Sequence, residues 1–364
     1  MGVFMPQIPA PAVPSLIHNG VMALKLGFHT GYWSAGPPPG AAEAVAAADE
    51  LGIDSVWTAE AYGSDAFTPL AWWGSSSSKV RLGTGIAQMA ARTPTATAMA
   101  ALTLDHLSNG RFILGLGASG PQVVEGWYGQ PYGKPLARTR EYISIIRDVL
   151  RREAPVTAPG PAYPLPYGDG QGKPLLSTVH PLRADLPIHL AAQGPKNTEL
   201  AAEIADGWLP AFFSPRHDHD YRERLQAGFA RRSNEITPAA DFEVSASVPV
   251  AIGTDIEDAA AHLKPHDALY VGGMGSATDN FHRNAIARLG WEEKCEEIAA
   301  RYRTDKRAAA EAVPTELVLD IALAGNPEQL REQFAAWQDT CLTTFIIQTD
   351  PRALPAIANA LSPE

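Results

Sequence analysis

The chain has 364 residues, long for one small module and short for three ordinary domains, so one large domain or two medium ones are expected. A composition of 45% hydrophobic and 19% charged residues is globular and excludes wholesale disorder. The balance of 29 Lys+Arg against 40 Asp+Glu leaves a net charge of −11. Such a surface repels phosphate backbones and anionic lipid over most of its area, so neither nucleic acid nor a membrane is an expected partner, although local basic spots can still bind a small anion.

Residues 1–22 carry no Lys or Arg and are broken by prolines, so they lack the basic start and unbroken apolar core of a signal peptide and read as a loose tail. With no apolar run of membrane-spanning length, the cytosol is the default location. From residue 24 onward, short β-rich runs alternate with helical ones. Residues 24–28 (LKLGF), 55–59, 80–86 and 111–115 (RFILG) read as the first four strands. Helices are expected at 40–51, from Asp65, at 94–107 with Thr93 as N-cap and Pro94 in the first turn, and at 138–151.

Residues 154–185 are crowded with Pro and Gly and form a long insertion loop, of the kind that in compact domains serves as a lid or binding element. The alternation resumes with strands at 188–191, 208–213, 244–252 and 344–348 and helices at 196–204, 221–231, 327–338 and 353–361. Residues 255–324 look like an added helical excursion with a Gly-rich turn at 272–275. Eight strands alternating with helices predict an α/β fold, a (β/α)8 TIM barrel with insertions, forming one domain over 23–364; two doubly wound halves are the rival arrangement. Cys295 and Cys341 are too few for a disulfide framework or a Cys-rich zinc site and read as plain thiols.

Residues 115–120 (GLGASG) formally satisfy G-x-G-x-x-G after a strand. A dinucleotide fingerprint needs the third Gly inside a helix and an acid at the end of the next strand; here Pro121 follows at once and the acid at that distance, Glu141, sits in an amphipathic helix. A twin element, Gln193-Gly194-Pro195-Lys196-Asn197, follows the next strand. A Gly-Pro start leaves unspent backbone N–H groups at a helix N-terminus, which makes an anion cradle. Ser119 adds a hydroxyl to one loop and Lys196 a cation to the other, and on a barrel both loops rise from the ligand-binding face. Each Gly-Pro also reads as an ordinary helix-initiating turn.

The run LDHLSNGRFILGLGASGPQVVEGWYG (104–129) closely resembles the luciferase-like flavin monooxygenase superfamily, and its SGPQVVEGW portion the branch that uses the deazaflavin coenzyme F420. LGIDSVWTAEAYGSDAFTPLAWW (51–73), AAQGPKNTELAAEIADGWLP (191–210) and YVGGMG (270–275) extend the resemblance. It implies a TIM barrel with a flavin or deazaflavin at its mouth, its phosphate held by Ala118, Ser119, Gly120 and Pro121 together with Gln193, Gly194, Lys196 and Asn197. It also implies a bulge with a cis peptide at Gly85-Ile86, a homo-oligomer and a small-molecule substrate.

The expected chemistry is hydride transfer between F420 and an activated C=C, C=N or C=O group. An FMN monooxygenase fed by a partner reductase, or a cofactor binder without turnover, are the alternatives. The resembling alcohol- and sugar-oxidising F420 dehydrogenases carry an Asp-His pair after the second strand and an acid in the Gly loop. This chain has Glu60-Ala61 and Ala118 there, so hydroxyl oxidation lacks its imidazole base, and the methylene-tetrahydromethanopterin reductases are the better template. Glu60 and His29, each ending a strand at the mouth, are the acid/base candidates, with Tyr32, Trp33, Trp127 and Tyr128 as pocket walls. Glu60 reads equally as a carboxylate paired with an arginine. His217-Asp-His-Asp220 reads as the polar entry to a helix and not as a metal site.

Overall fold

The computed structural model describes residues 24–234, 236–275 and 280–362. The predicted tail at 1–22 lies outside the described residues. Ten strands occur among the described residues: β1 Lys25–His29, β2 Ser55–Thr58, β3 Arg81–Thr84, β4 Ala87–Gln88, β5 Phe112–Gly117, β6 Ile188–Ala191, β7 Gly207–Leu209, β8 Glu243–Ile252, β9 Leu323–Gly325 and β10 Thr344–Gln348. All pairings between them are parallel, in the order β10-β1-β2-β3-β5-β6-β7-β8, and β8 pairs β10 to close an eight-stranded barrel. Closure leaves no edge, and the strands are buried nearly end to end, as a sheet covered by helices requires.

Three strand predictions need correction. The run at 80–86 is broken: β3 stops at Thr84, the Gly85–Ile86 peptide is cis, and β4 is a separate two-residue strand paired with β5. The run at 208–213 is only a three-residue strand, because Pro210 has no N–H to continue the ladder. The excursion at 255–324 ends in a strand, β9, paired with the far end of β8. β8 is ten residues long and outlasts the barrel, and its surplus length carries β9 as a third partner after β7 and β10.

The interior is a packed plug. Trp57, Ile113, Leu209 and Ile346 form one apolar cluster, and the His189 ring lies 5.8 Å from that of Trp57. Gly83 makes room for the Trp57 indole, and a side chain at Gly207 would meet the His189 ring. The N-terminal end is sealed by charge: Arg81 bonds Asp54 Oδ2 at 2.6 Å and Glu243 Oε1 at 2.9 Å. Ligands are therefore left the opposite, C-terminal mouth.

Two additions reach that mouth. The loop at 152–187 runs back along the helix Pro135–Arg151, held by the Ala162 and Tyr163 N–H groups on Glu141 and by Arg138 on the Tyr163 hydroxyl. The excursion carries its own apolar core, including Ile286, Leu289, Ile298, Leu317 and Ile321. It is fastened to the barrel by Asp320, which accepts from Ser214, Arg216 and Trp291.

Candidate active site

At the mouth, the ends of β1 and β2 clamp the cis segment. Gly85 N–H donates to the Thr58 carbonyl at 2.7 Å, and Glu60 N–H to the Ile86 carbonyl at 3.0 Å. The buried Glu60 carboxylate completes the clamp: Oε2 accepts from Gln88 N–H at 2.7 Å and from Arg92 Nη1 at 2.8 Å. Gln88 Nε2 returns a bond to the Glu60 carbonyl at 3.1 Å. Glu60 thus shows the arginine pairing that the sequence left open as its second reading. Its other oxygen, Oε1, makes no hydrogen bond among the described residues.

His29 is equally committed. Its Nδ1 accepts from Gly31 N–H at 3.0 Å, which leaves Nε2 to carry the ring proton. Burial drives its pKa down to about 4, opposed by a hydrogen bond to the Gly85 backbone, so the imidazole is neutral and bound to the cis segment. Both acid/base candidates therefore converge on Gly85–Gln88. One atom there is unsatisfied: Gln88 Oε1 is buried with no hydrogen-bond partner among the described residues.

The two Gly-Pro turns lie on the neighbouring strands β5 and β6. Ser119 has a φ of 58° and Gly194 one of 88°, left-handed conformations that aim the following N–H groups out of the helices Pro121–Gly126 and Pro195–Ile204. The backbone N–H groups of Ser119, Gly120, Lys196 and Asn197 enter no hydrogen bond among the described residues. The ammonium of Lys196, the cation expected beside this turn, lies 2.9 Å from Glu199 Oε1 on the exposed outer face of the helix. The cation beside this turn is Arg288, whose Nη2 stands 3.8 Å from where a Cβ on Gly194 would be.

Sequence reasoning missed what the excursion contributes. Phe281 lies against Gly120, and Gln193 Nε2 meets His282 Nδ1 at 3.2 Å, so one short helix, Phe281–Ile286, roofs both turns. Tyr270 packs against Phe212 and His282 at 5.4 and 4.9 Å between ring centroids and hydrogen-bonds Tyr32, whose ring is 5.5 Å from that of His29. The Tyr32 hydroxyl is enclosed and its pKa is raised by that burial, although the residue as a whole is 48% exposed. Burial lowers His282 to a pKa of about 4, so it too is neutral. The YVGGMG run was the only sequence signal for this wall. Of the other expected wall residues, Tyr128 reaches the Ala61 carbonyl at 3.4 Å, Trp33 stacks on Trp73, and Trp127 is exposed. The helix Asp218–Phe229 begins three residues before the expected 221–231 and takes most of the 217–220 segment into its first turn; His219, Asp220 and Glu223 approach one another on its exposed surface.

The donor set fits a flat heterocycle carrying a phosphate. Unspent N–H groups on two adjacent turns suit the anion, and the orphaned Gln88 carbonyl suits a ring N–H.

The luciferase-like monooxygenase family profile matches residues 20–344. A protein of Mycobacterium tuberculosis, named provisionally as a coenzyme F420-dependent oxidoreductase, is 55% identical over 333 residues, covering 89% of this chain and 94% of its own. The 5,10-methylenetetrahydromethanopterin reductase of Archaeoglobus fulgidus is 27% identical over 288 residues, covering 79% and 82%. Among solved structures, the coenzyme F420-dependent tetrahydromethanopterin reductase of Methanopyrus kandleri superposes with a TM-score of 0.77 at 22% identity, covering 93% of this chain and 99% of its own. The chain belongs to the luciferase-like monooxygenase family.

Proposed function

We propose that this protein is a coenzyme F420-dependent oxidoreductase that passes hydride between the deazaflavin and an activated C=C, C=N or C=O group of a small organic substrate and, on the same family resemblance, works as a homo-oligomer. The observation that carries the reading is the pair of unspent N–H turns on β5 and β6, beside the clamped Gly85–Gln88 segment. The 55% identity to a relative bearing the F420 name favours F420 over FMN. When bound, a deazaflavin supplies hydride chemistry with little reactivity toward oxygen.

The chain's own residues divide the remaining work. Ala118, Ser119, Gly120 and Pro121, with Gln193, Gly194 and Asn197, would hold the phosphate. Gly85 and Ile86 would back the ring, and Gln88 Oε1 would accept from it. Tyr32, Tyr270 and Phe212 would exclude water from the face above. Glu60, through its unbonded Oε1, and His29 remain the groups to test for proton management at the mouth.

The test is titration of the purified protein with F420 and FMN, each oxidised and reduced, followed by their own absorbance and fluorescence. Tight F420 binding without FMN binding, together with oxidation of reduced F420 by members of an enone and imine panel, is the expected result. Preference for FMN, or binding of neither, overturns the proposal.

A further inference from the structure

The hydroxyl groups of Tyr32 and Tyr270 meet above the mouth in a side-chain hydrogen bond. The two residues reach it from different sides. Tyr32 follows β1, with its ring 5.5 Å from that of His29, which is itself bonded to the Gly85 backbone. Tyr270 comes from the excursion and touches the rings of His266 and His282, at 4.6 and 4.9 Å between centroids, while His282 reaches Gln193 after β6. The pair thus runs from the cis segment toward the second Gly-Pro turn, and a substrate group seated over Gly85–Gln88 has these hydroxyls as its ceiling.

Reducing a C=O or C=N group takes a proton for the heteroatom as well as hydride for the carbon. The back wall is a poor source of that proton. The Glu60 carboxylate is ion-paired with Arg92, and the His29 imidazole is neutral with its Nε2 proton engaged by Gly85. A phenol, in contrast, keeps its proton throughout the neutral range. Burial raises Tyr32, and its bond to Tyr270 pulls it back down, whereas Tyr270 is pushed well above the ordinary phenol by Tyr32 first, then by burial, with Tyr62 adding to the effect. Of the two, Tyr32 therefore ionises first, with the Tyr270 O–H donating to its oxygen.

We propose that Tyr32 is the proton donor of the reaction and that Tyr270 is the residue that positions it. As hydride forms the new C–H bond, the π pair of the C=O or C=N group moves onto its oxygen or nitrogen, and that atom takes the proton of the Tyr32 hydroxyl. The O–H electron pair stays on the phenolate, which the Tyr270 O–H steadies, and water returns the proton once product has left. For a conjugated C=C group the same hydroxyl serves the carbonyl oxygen. The proposal rests on the hydride-transfer reading of the mouth, with reduced F420 as the two-electron donor.

The experiment has two arms. In the first, oxidation of reduced F420 by the enone and imine panel is measured for the wild-type protein, Tyr32→Phe and Tyr270→Phe, with Tyr167→Phe, at an exposed residue of the insertion loop, as control. Tyr32→Phe is expected to lower kcat about a hundredfold or more while F420 affinity stays within about threefold of wild type, and Tyr270→Phe to lower kcat about tenfold. Undiminished kcat in Tyr32→Phe overturns the proposal, and so does a loss of F420 binding that matches the loss of turnover, because that pattern belongs to a structural wall. The second arm needs no cofactor: 3-fluorotyrosine is placed at position 32 and its ionisation followed by fluorine NMR. Tyr270→Phe is expected to raise the midpoint by about one pH unit, because the phenolate loses its donor. An unchanged midpoint overturns the proposal. If the wild-type protein fails to bind F420 or reduces no panel member, the hydride-transfer reading falls and the donor role with it, before any variant is compared; wild-type turnover with undiminished Tyr32→Phe removes the donor role alone.

Discussion

Arg92 Nη1 lies 2.8 Å from Glu60 Oε2, and the same carboxylate oxygen accepts the Gln88 N–H from β4. A side chain at the end of β2 is thereby tied to the segment that follows the cis peptide, and the position of the mouth's back wall depends on that tie. Removing one partner of a largely buried pair leaves an uncompensated charge. Glu60→Ala is expected to lower unfolding free energy by about 2–4 kcal/mol, and Glu60→Gln, which keeps an acceptor for Gln88, by about half that. Urea unfolding checks both. Glu60→Gln should still bind cofactor but lose turnover; unchanged turnover removes Glu60 from the acid/base candidates.

The buried histidines predict the acid limb of the stability curve. His29 and His189 are held at a pKa of about 4, below the ordinary 6.5, chiefly by burial. The unfolded chain therefore binds more protons than the folded one between pH 6.5 and 4, and stability falls as pH drops through that window and levels off below it. Each contributes up to about 3 kcal/mol at one pKa unit per 1.36 kcal/mol. His189, with neither ring nitrogen hydrogen-bonded among the described residues, is the cleaner test. His189→Gln should flatten the fall in urea midpoint between pH 6.5 and 4.5, and an unaltered slope would refute this account.

A Cβ on Gly115 of β5 would collide with the carbonyl oxygen of Thr84 on β3, which is backbone and cannot turn aside. Gly115→Ala should cost about 3 kcal/mol or more, the upper part of the range for overpacking. Gly36, with nothing within 4 Å of its Cβ position, is the control, and Gly36→Ala should leave the melting temperature within a degree or two.

Ser119 occupies the left-handed region with a φ of 58°. Ser119→Gly should raise stability by up to about 1 kcal/mol, whereas Ser119→Val should destabilise by a similar amount or more, because a β-branched side chain tolerates that conformation poorly. If the hydroxyl contacts the phosphate, F420 affinity in Ser119→Gly falls about tenfold despite the firmer fold. Equal affinity, read from cofactor fluorescence, would confine Ser119 to a turn-forming role.

Much of the barrel is legible in the sequence, because each βα unit carries local signals. Runs such as TFIIQ stand at the length of one buried strand, and Thr93-Pro94 and Asn326-Pro327 mark helix starts by side-chain caps that need no distant partner. The Gly-Pro turns are local in the same sense, so their place after two consecutive strands could be read directly. What the sequence could not supply was which side chains spend their charge before any ligand arrives. Lys196 reads as a free cation beside the turn, and the fold sets its ammonium against Glu199, one helical turn on. Arg288, Phe281 and His282 look like surface residues of an added helical segment until tertiary packing sets them over the two turns. Glu60 and His29 were findable from their positions at strand ends, but their commitment to the Gly85–Gln88 segment depends on contacts across neighbouring strands. Periodicity and turn chemistry determine the barrel because they act within a few residues, whereas the balance of paired and unpaired charge around its mouth is decided only where distant segments meet.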